Sequence, residues 1–203
     1  MQMPSAILSS RNWTDTLPLD SVFEHPRRPL EVDVGCGKGR FLLARAKAKA
    51  DTNFLGIDRL LGRLRRIDAR ILRENRWNIR LLNMDAAYAV EYLLPAASVV
   101  TFHIFFPDPW PKRRHHRHRL FRPAFMGALH RALVPGGRVN IATDHVDYFA
   151  GIAKLFRGDS RFVEVPAFQP SEEERTNFEI TFLQKETEIS RGSFQKTKQD
   201  AAG

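Results

Sequence analysis

The sequence predicts an α/β fold built on a doubly wound, mostly parallel sheet. Strand-like and helix-like segments alternate along most of the chain. The segment 99–106 is a near-continuous apolar run, which is typical of a central strand buried on both faces. A length of 203 residues, of which 43% are hydrophobic, suits one folded domain with a sizeable core.

The strands are assigned from composition and from the turn residues that bound them. Two segments, 161–165 and 179–185, are predicted to close the sheet as a strand pair. The segment from Gly192 onward is polar, so we expect a frayed tail there. We therefore predict a single domain over residues 1–203, with a core at about 30–190. The other five strands are predicted at 30–34, 53–57, 79–83, 99–106 and 138–142.

Helices are predicted between the strands, at 39–50, 60–75, 86–94, 123–134 and 146–156. Proline cannot continue a helix, so Pro95 ends the third of them. The Pro-Gly-Gly sequence at 135–137 is expected to end the fourth. The second has an apolar stripe at spacings of four, three and four, formed by Leu60, Leu64, Ile67 and Ile71.

Composition favours a polyanionic partner. The formal net charge is +9, and residues 59–80 and 112–122 supply 14 of the 32 lysines and arginines. Cys36 is the single cysteine, so no internal disulfide or cysteine-based zinc cluster is expected, in keeping with a reducing, cytoplasmic location. No stretch reaches the ~18 apolar residues of a membrane span, and no signal peptide is expected at the N-terminus.

A glycine-rich loop follows the first strand. The sequence Asp33-Val-Gly35-Cys-Gly37-Lys-Gly39 leads directly into a predicted helix, as in nucleotide-type sites. The spacing is GxGxG, and Arg40 stands where the dinucleotide fingerprint needs its last glycine. The loop therefore suits a cationic or ribose-bearing ligand better than a pyrophosphate.

Two further acids follow neighbouring strands. Asp58 ends the second strand, where an acid can bind both ribose hydroxyls, and Asp85 follows the third, where an acid can reach an adenine amino group. With Asp33 they form a line that resembles the S-adenosylmethionine site of class I methyltransferases. The alternative for each acid is a helix N-cap. Cys36 is interpreted as a small space-filler rather than a nucleophile.

The fourth strand ends in Pro107-Asp108-Pro109-Trp110. Methylation of a nucleobase ring nitrogen, such as guanine N7, would need no proton removed; it would need in-line placement and stabilisation of a ring that becomes cationic. A carboxylate can do both, and Asp108 is the first candidate, with Asp144 the second. The tetrapeptide can also be compared with the motif of amino-group methyltransferases. The remaining alternative is a proline-stiffened turn capped by Asp108.

A cationic run follows this turn, from Lys112 to Arg119, with three histidines interleaved. The run begins two residues beyond the turn, so it rims the ligand crevice and is suited to phosphate contact. The histidines lack metal-ligand spacing, so no metal is expected. The alternative is a solvated charge run or a localisation-type signal. A second strip lies on the helix at 60–75, where a solvated face is favoured over RNA contact: Arg59, Arg63, Arg66, Arg70 and Arg73.

These motifs resemble those of one family. The run from Phe106 to Lys112, with the Arg-Arg-His-His-Arg-His-Arg-Leu that follows, resembles the signature of the tRNA (guanine-N7)-methyltransferases, the TrmB family. The sequence Thr-Asn-Phe-Glu at 176–179 resembles that family's second signature. The resemblance covers about residues 30–190. It implies a Rossmann-like class I methyltransferase with a seven-stranded sheet.

The resemblance also implies the activity and the residues. The activity is methyl transfer from S-adenosylmethionine to N7 of the guanosine at position 46, in the variable loop of tRNA. The cofactor site would comprise Asp33, Gly35, Gly37, Asp58, Asp85 and Asp108, with Asp108 also the catalytic acid. The target nucleotide would be held by Lys112, Asp144, Thr176, Asn177, Phe178 and Glu179. The RNA contacts would be Arg114, His115, His116, Arg117, His118 and Arg119.

The chain departs from the family pattern at two acids. Asp33 and Asp58 are usually Glu in the family, so each carboxylate here is one methylene shorter. About 30 residues precede the first strand, so we expect a reduced RNA-binding arm and the bacterial single-subunit form, monomer or homodimer, with no obligate protein partner. Two alternatives stay open: methylation of another RNA base, and RNA binding without catalysis.

Overall fold

The computed structural model describes residues 4–9 and 14–198. This part of the chain forms seven strands: β1 (Leu30–Val34), β2 (Asn53–Asp58), β3 (Ile79–Asn83), β4 (Val99–Phe105), β5 (Leu133–Thr143), β6 (Phe162–Val165) and β7 (Ser190–Lys196). They make one sheet in the order β3-β2-β1-β4-β5-β7-β6. β1 to β5 are parallel, whereas β7 is antiparallel to both β5 and β6. The predicted fold class is confirmed.

Helices cover both faces of this sheet. They are α1 (Leu19–Val22), α2 (Arg40–Ala48), α3 (Leu61–Glu74), α4 (Ala86–Tyr88), α5 (Pro123–Ala132), α6 (Val146–Arg157) and α7 (Asn177–Gln184). A π-helical turn, Ala89–Leu93, extends α4, and a 3₁₀ helix, Arg113–His118, follows β4. Apolar side chains of α2 and α3 share one core, and those of the π-turn, α5 and α6 share the other.

Alternation along the strands separates the two cores. In β2, Phe54 belongs to the core beneath α2 and α3, whereas Leu55 and Ile57 belong to the core on the opposite face. All three side chains are buried. Because successive residues of a strand point to opposite faces, this pattern requires helices on both sides, as in a doubly wound sheet.

The fourth predicted helix ends earlier than expected. α5 stops at Ala132, and Leu133 already pairs with Val99 of β4. The register shifts before the next pair, Thr101 with Arg138, so the Pro-Gly-Gly at 135–137 lies in an irregular start of β5. The prediction that these residues end a helix was wrong, because Leu133 and Val134 have already joined the sheet.

The closing strand pair was half right. β6 matches the predicted strand at 161–165, but the segment 179–185 lies in α7. Thr176 caps this helix by accepting a hydrogen bond from the Glu179 backbone N–H at 3.0 Å. The true last strand is β7, in a segment that we expected to fray from Gly192 onward. Its backbone hydrogen-bonds to strands on both sides, which compensates for its polar side chains.

The fold gathers the candidate residues at one edge. The carboxyl ends of β1, β2, β3, β4 and β5 point the same way because these strands are parallel. Asp33 and Asp58 lie at this edge, at the ends of β1 and β2, and the loops that follow the strands contain Gly35 to Gly39, Asp85, Asp108 and Asp144. In the described part of the chain, no helix combines the length and apolar character needed to cross a bilayer.

Candidate active site

The glycine loop turns back over the end of β2. The backbone N–H groups of Gly35 and Cys36 both donate to the carbonyl of Ile57, at 2.9 Å each. Gly35 has φ +80°, and a Cβ there would meet no atom within 4 Å, so the space above the loop is open. At Gly39, with φ +74°, a Cβ would lie 2.7 Å from the side chain of Ile67. Gly39 is thus needed for packing, whereas Gly35 borders the open space in which a ligand can lie.

Asp58 holds this loop in place. Its side chain is 7% exposed. One carboxylate oxygen accepts from the Gly37 backbone N–H at 3.0 Å, and the other accepts from the Leu60 backbone N–H at 2.8 Å. Arg63 Nη1 lies 3.6 Å from the first oxygen. Each oxygen keeps a second lone pair, so Asp58 can fix the loop and still accept from a ligand hydroxyl.

Asp33 is a buried acid without a partner. It is 5% exposed, and no hydrogen bond to its carboxylate is formed within residues 4–9 and 14–198. Burial, with a smaller contribution from the negative charge of Asp58, raises the pKa of Asp33 to about 7. A cationic ligand group would relieve both effects. The residues present therefore fit the amino and sulfonium charges of S-adenosylmethionine.

Asp85 has a clear local role. It is exposed, and it caps α4 by accepting a hydrogen bond from the Tyr88 backbone N–H at 3.0 Å. The two residues before Asp85 are held by the backbone carbonyl of Asp58, which accepts hydrogen bonds from Asn83 Nδ2 at 3.1 Å and from the Met84 N–H at 3.3 Å. The capping alternative therefore describes what Asp85 does here, and its role in cofactor binding stays a prediction.

The turn after β4 is held in a strained shape. Phe106 and Trp110 both have positive φ, +53° and +42°, which is uncommon for residues other than glycine and costs on the order of 1–3 kcal/mol each. Asp108 lies between them, exposed, and its carboxylate makes no hydrogen bond to any described residue. The turn thus presents a free carboxylate to solvent, and the interpretation of Asp108 as a turn cap finds no support.

The cationic run forms the 3₁₀ helix packed against Trp110. The rings of His115 and His118 lie 5.8 and 5.1 Å from the indole. Arg114 and Arg117 are exposed on this helix, together with Lys112 and His116. No group of side chains in the described residues has a metal-binding arrangement.

The side chain of Arg119 contacts two other parts of the fold. Its Nε donates to the Pro109 carbonyl at 2.8 Å, and its guanidinium lies 4.6 Å from the ring of Tyr148. This contact braces the strained turn against α6. The prediction that Arg119 contacts RNA is therefore weaker than the same prediction for Arg114 and Arg117.

The segment 176–179 lies next to the turn. The ring of Phe106 lies 6.1 Å from Phe178 and 5.4 Å from Phe182, which joins α7 to the end of β4. Phe178 remains 57% exposed, and Asn177 is exposed beside it. Glu179, in contrast, is buried and forms an ion pair with Arg191 of β7. The structure thus gives Glu179 a structural partner, while Phe178 and Asn177 are free to meet a ligand.

Asp144 follows β5 at the same edge and is half-buried. Its carboxylate makes no hydrogen bond to the described residues, whereas its neighbour His145 caps α6 by accepting from the Tyr148 backbone N–H at 3.2 Å. Asp144 is therefore available to a ligand in the way that Asp108 is.

Sequence reasoning missed a buried polar network beneath this edge. Glu31 of β1 accepts hydrogen bonds from Arg45 Nε at 3.0 Å and Lys49 Nζ at 3.0 Å, and it contacts His103 Nε2 at 2.8 Å. Arg45 Nη1 also reaches Glu174 at 3.1 Å, just ahead of α7. The available signal was a charged or polar residue inside each of two apolar strands, Glu31 and His103.

Burial and pairing set the charges in this network. Burial by itself would raise the pKa of Glu31, but the hydrogen bonds from His103 and Arg45 outweigh it and hold the pKa well below its usual range. Burial lowers the pKa of His103, which keeps the ring neutral. A neutral ring can donate from Nε2 to Glu31 and accept at Nδ1 from Asn140 Nδ2, 3.4 Å away.

Solved structures share this architecture. The chain matches the 16S rRNA methyltransferase KamB with a TM-score of 0.62 over 88% of this chain and 91% of that one, at 14% identity. It matches the antibiotic-resistance methyltransferase Kmr with a TM-score of 0.57 over 83% and 87%, at 18% identity. At such identities the likeness concerns the fold alone. Together with the order of strands in the sheet, it defines the fold as Rossmann-like.

Sequence relatives identify the family. The family model described as "Putative methyltransferase" matches residues 27–196. The tRNA (guanine-N(7)-)-methyltransferase of Halorhodospira halophila is 35% identical over 174 residues, which are 83% of this chain and 75% of that protein. The enzyme of the same name from Nocardia farcinica is 37% identical over 159 residues, 78% and 59% respectively. The chain belongs to the tRNA (guanine-N7-)-methyltransferase family. It spans 56–60% of the length of several such relatives.

Proposed function

We propose that this chain transfers a methyl group from S-adenosylmethionine to N7 of a guanosine in tRNA. The observation that carries the proposal is the pairing of two kinds of carboxylate at one sheet edge. Among the described residues, neither Asp33, buried beside the open glycine loop, nor Asp108, exposed at the basic turn, has a hydrogen-bond partner for its carboxylate. One site suits a small cationic cofactor, and the other suits a nucleobase with N–H donors.

The cofactor would lie above the glycine loop. Asp33 would accept from its cationic groups and Asp58 from its ribose hydroxyls, with Asp85 at the adenine end. Gly35 and Gly37, both with positive φ, let the backbone approach the ligand without a side chain in the way. When bound, S-adenosylmethionine supplies an electrophilic methyl group on a sulfonium.

The target guanine would lie against Asp108. Guanine presents two N–H donors on one edge, and a carboxylate can accept both. In the transfer the sulfur–methyl bond breaks as the N7–methyl bond forms, so positive charge passes from sulfur to the guanine ring and no proton leaves. The free carboxylates of Asp108 and Asp144 would stabilise this developing charge. Lys112 and the segment 176–179 would hold the nucleotide, with exposed Phe178 offering a face for stacking.

The tRNA backbone would contact the 3₁₀ helix after the turn. The predicted contact residues are Arg114, His115, His116, Arg117, His118 and Arg119. Of these, Arg114 and Arg117 are exposed cations, while the rings of His115 and His118 support Trp110. Such contacts position RNA without reading its sequence. We propose position 46 of the variable loop as the target and the cytoplasm as the location.

The decisive experiment maps the product. The protein is incubated with a tRNA transcript and isotopically labelled S-adenosylmethionine, and the methylated base is located by nuclease digestion and mass spectrometry. A matched transcript carries 7-deazaguanosine at position 46, which differs by one ring atom. We expect label at N7 of that guanosine and none in the deaza transcript. Label at another base, or tRNA binding without any transfer, would overturn the proposal in favour of one of its two alternatives.

A further inference from the structure

A second cationic surface lies on α3, away from the turn after β4. It consists of five arginines at spacings of four, three, four and three; four of them share one side of the helix, and Arg59 lies two residues ahead of it. All five are exposed. We call it the arginine face: Arg59, Arg63, Arg66, Arg70 and Arg73.

The acidic side chains near the arginine face neutralise little of its positive charge. Between residues 59 and 76 the sequence has seven arginines and two acids. Asp68 is already engaged, since it accepts from Ser5 Oγ at 2.9 Å and from the Ala6 backbone N–H at 2.7 Å. Glu74 contacts Arg70 and Arg76 at 3.6 and 3.4 Å. Arg66 and Arg73 form no ion pair or hydrogen bond with any described residue.

This arrangement differs from an ordinary solvated helix face. Solvated faces mix charges of both signs, because oppositely charged side chains three or four residues apart stabilise a helix and like charges repel. Here every step between successive members of the face joins like charges, and Arg70 is the member that also has an acid four residues further on, Glu74. The opposite side of α3 is fully buried through Leu64, Ile67 and Ile71, which holds the helix in place despite the repulsion. An anionic partner would remove that repulsion.

The position of the face selects the partner. α3 begins at the carboxyl end of β2, and Arg63 lies 3.6 Å from Asp58 of the cofactor site. From Arg63 to Arg73 the face extends roughly 15 Å along the helix, with about 5 Å of rise between successive arginines. An RNA that places a base at the sheet edge can run its backbone along α3. Its regularly spaced phosphates would then match the regularly spaced arginines.

We propose that the arginine face binds the phosphate backbone of the tRNA, as a contact area separate from the 3₁₀ helix after β4. The identity of the RNA rests on the proposed function, whereas the contact itself is electrostatic and sequence-independent. The face would orient the body of the tRNA while the target base is held at the turn.

The test compares two double variants that each remove two positive charges. Arg66→Gln/Arg73→Gln removes the two unpaired members of the face. The control, Arg27→Gln/Lys154→Gln, removes two exposed cations, one ahead of β1 and one on α6. Binding of tRNA is measured from 50 to 200 mM salt, with thermal melting as a check on folding.

We expect the face variant alone to flatten the dependence of log affinity on log salt by about 1.4–1.8. Over this range the wild type should therefore lose roughly tenfold more affinity than the face variant. The KM for tRNA should rise, with kcat at saturating tRNA and the affinity for S-adenosylmethionine unchanged. A salt slope and KM equal to those of the control would overturn the inference.

The two proposals fail separately. If the wild type binds tRNA but places no methyl group on guanine N7, the proposed function is wrong, and the salt slopes still decide whether the arginine face contacts RNA. If methyl transfer occurs as proposed and the slopes are equal, only the arginine face is ruled out.

Discussion

Replacing Asp33 by asparagine should stabilise the free protein while weakening its cofactor affinity. The carboxyl is buried and without a hydrogen-bond partner among the described residues, and its pKa rises from 3.8 to about 7 on folding. Between these two pH values the unfolded chain releases a proton that the folded chain keeps. Stability must therefore fall as pH rises through this window, and the loss is complete once the folded protein has also ionised.

The size of the effect follows from the shift. About three pKa units at 1.36 kcal/mol each give a cost on the order of 4 kcal/mol above pH 7 and about 2 kcal/mol at pH 5.5. Asparagine has no proton to release, so Asp33→Asn should gain about 2 kcal/mol over the wild type between pH 5.5 and pH 8. For a chain of this size, 2 kcal/mol corresponds to an increase of roughly 4–8 °C in the Tm advantage of the variant over the wild type.

The assay is thermal unfolding at both pH values, with and without S-adenosylmethionine. Without ligand, the Tm advantage of the variant should grow with pH. With ligand, the wild type should recover, because a charge-assisted hydrogen bond is worth about 1.5–3 kcal/mol, or roughly ten- to a hundredfold in affinity. Asp20→Asn is the matched control, since it removes the same charge at an exposed position of α1 that is not part of the proposed cofactor site. A Tm difference for Asp33→Asn that does not change with pH would refute the reasoning.

Three further outcomes are expected. Asp108→Asn should lower kcat at least ~100-fold with little change in cofactor affinity, because the carboxylate acts on charge that develops in transfer; steady-state kinetics with unchanged turnover would contradict this. Arg114→Gln/Arg117→Gln should flatten the slope of log tRNA affinity against log salt by about 1.4–1.8. An unchanged slope would mean that these side chains do not contact the RNA. Arg45→Met should cost about 3–5 kcal/mol in urea unfolding because it removes the cation that two buried carboxylates share, Glu31 and Glu174. Lys49→Met removes a more exposed partner of Glu31 and should cost under about 1 kcal/mol.

The parallel part of the sheet could be predicted because its signals are local. Each of β1 to β4 is a short, mostly apolar run next to a turn or helix start. The predicted apolar stripe was right at Leu64, Ile67 and Ile71, which are buried in α3, and wrong at Leu60, which is exposed because it precedes the helix. β7 could not be predicted in this way. Its sequence, Ser-Arg-Gly-Ser-Phe-Gln-Lys, is polar, and it becomes a strand because β5 and β6, distant in sequence, offer backbone partners on both sides.

The candidate site shows the same division. The position of each acid after a strand is readable from the sequence, but its hydrogen bonds are not. Asp33, Asp58 and Asp85 looked equivalent in the sequence. In the described part of the chain, however, the first has no hydrogen-bond partner, the second holds the glycine loop and the third caps a helix. Glu179 likewise belonged to a motif, and its pairing with Arg191 depends on β7, which was not foreseen.

The contacts of α2 connect the proposed cofactor site to the residues proposed to hold the target nucleotide. This helix starts directly after the glycine loop, and it holds the chain just ahead of α7 at two points: Arg40 Nε donates to the Arg175 carbonyl at 2.9 Å, and Arg45 contacts Glu174 at 3.1 Å. If the helix start moves when the proposed cofactor binds, these two contacts would transmit the movement to the residues that precede segment 176–179. Such coupling would be reciprocal by thermodynamic linkage. If the bound cofactor raises the affinity for the target nucleotide by some factor, the bound nucleotide raises the affinity for the cofactor by the same factor.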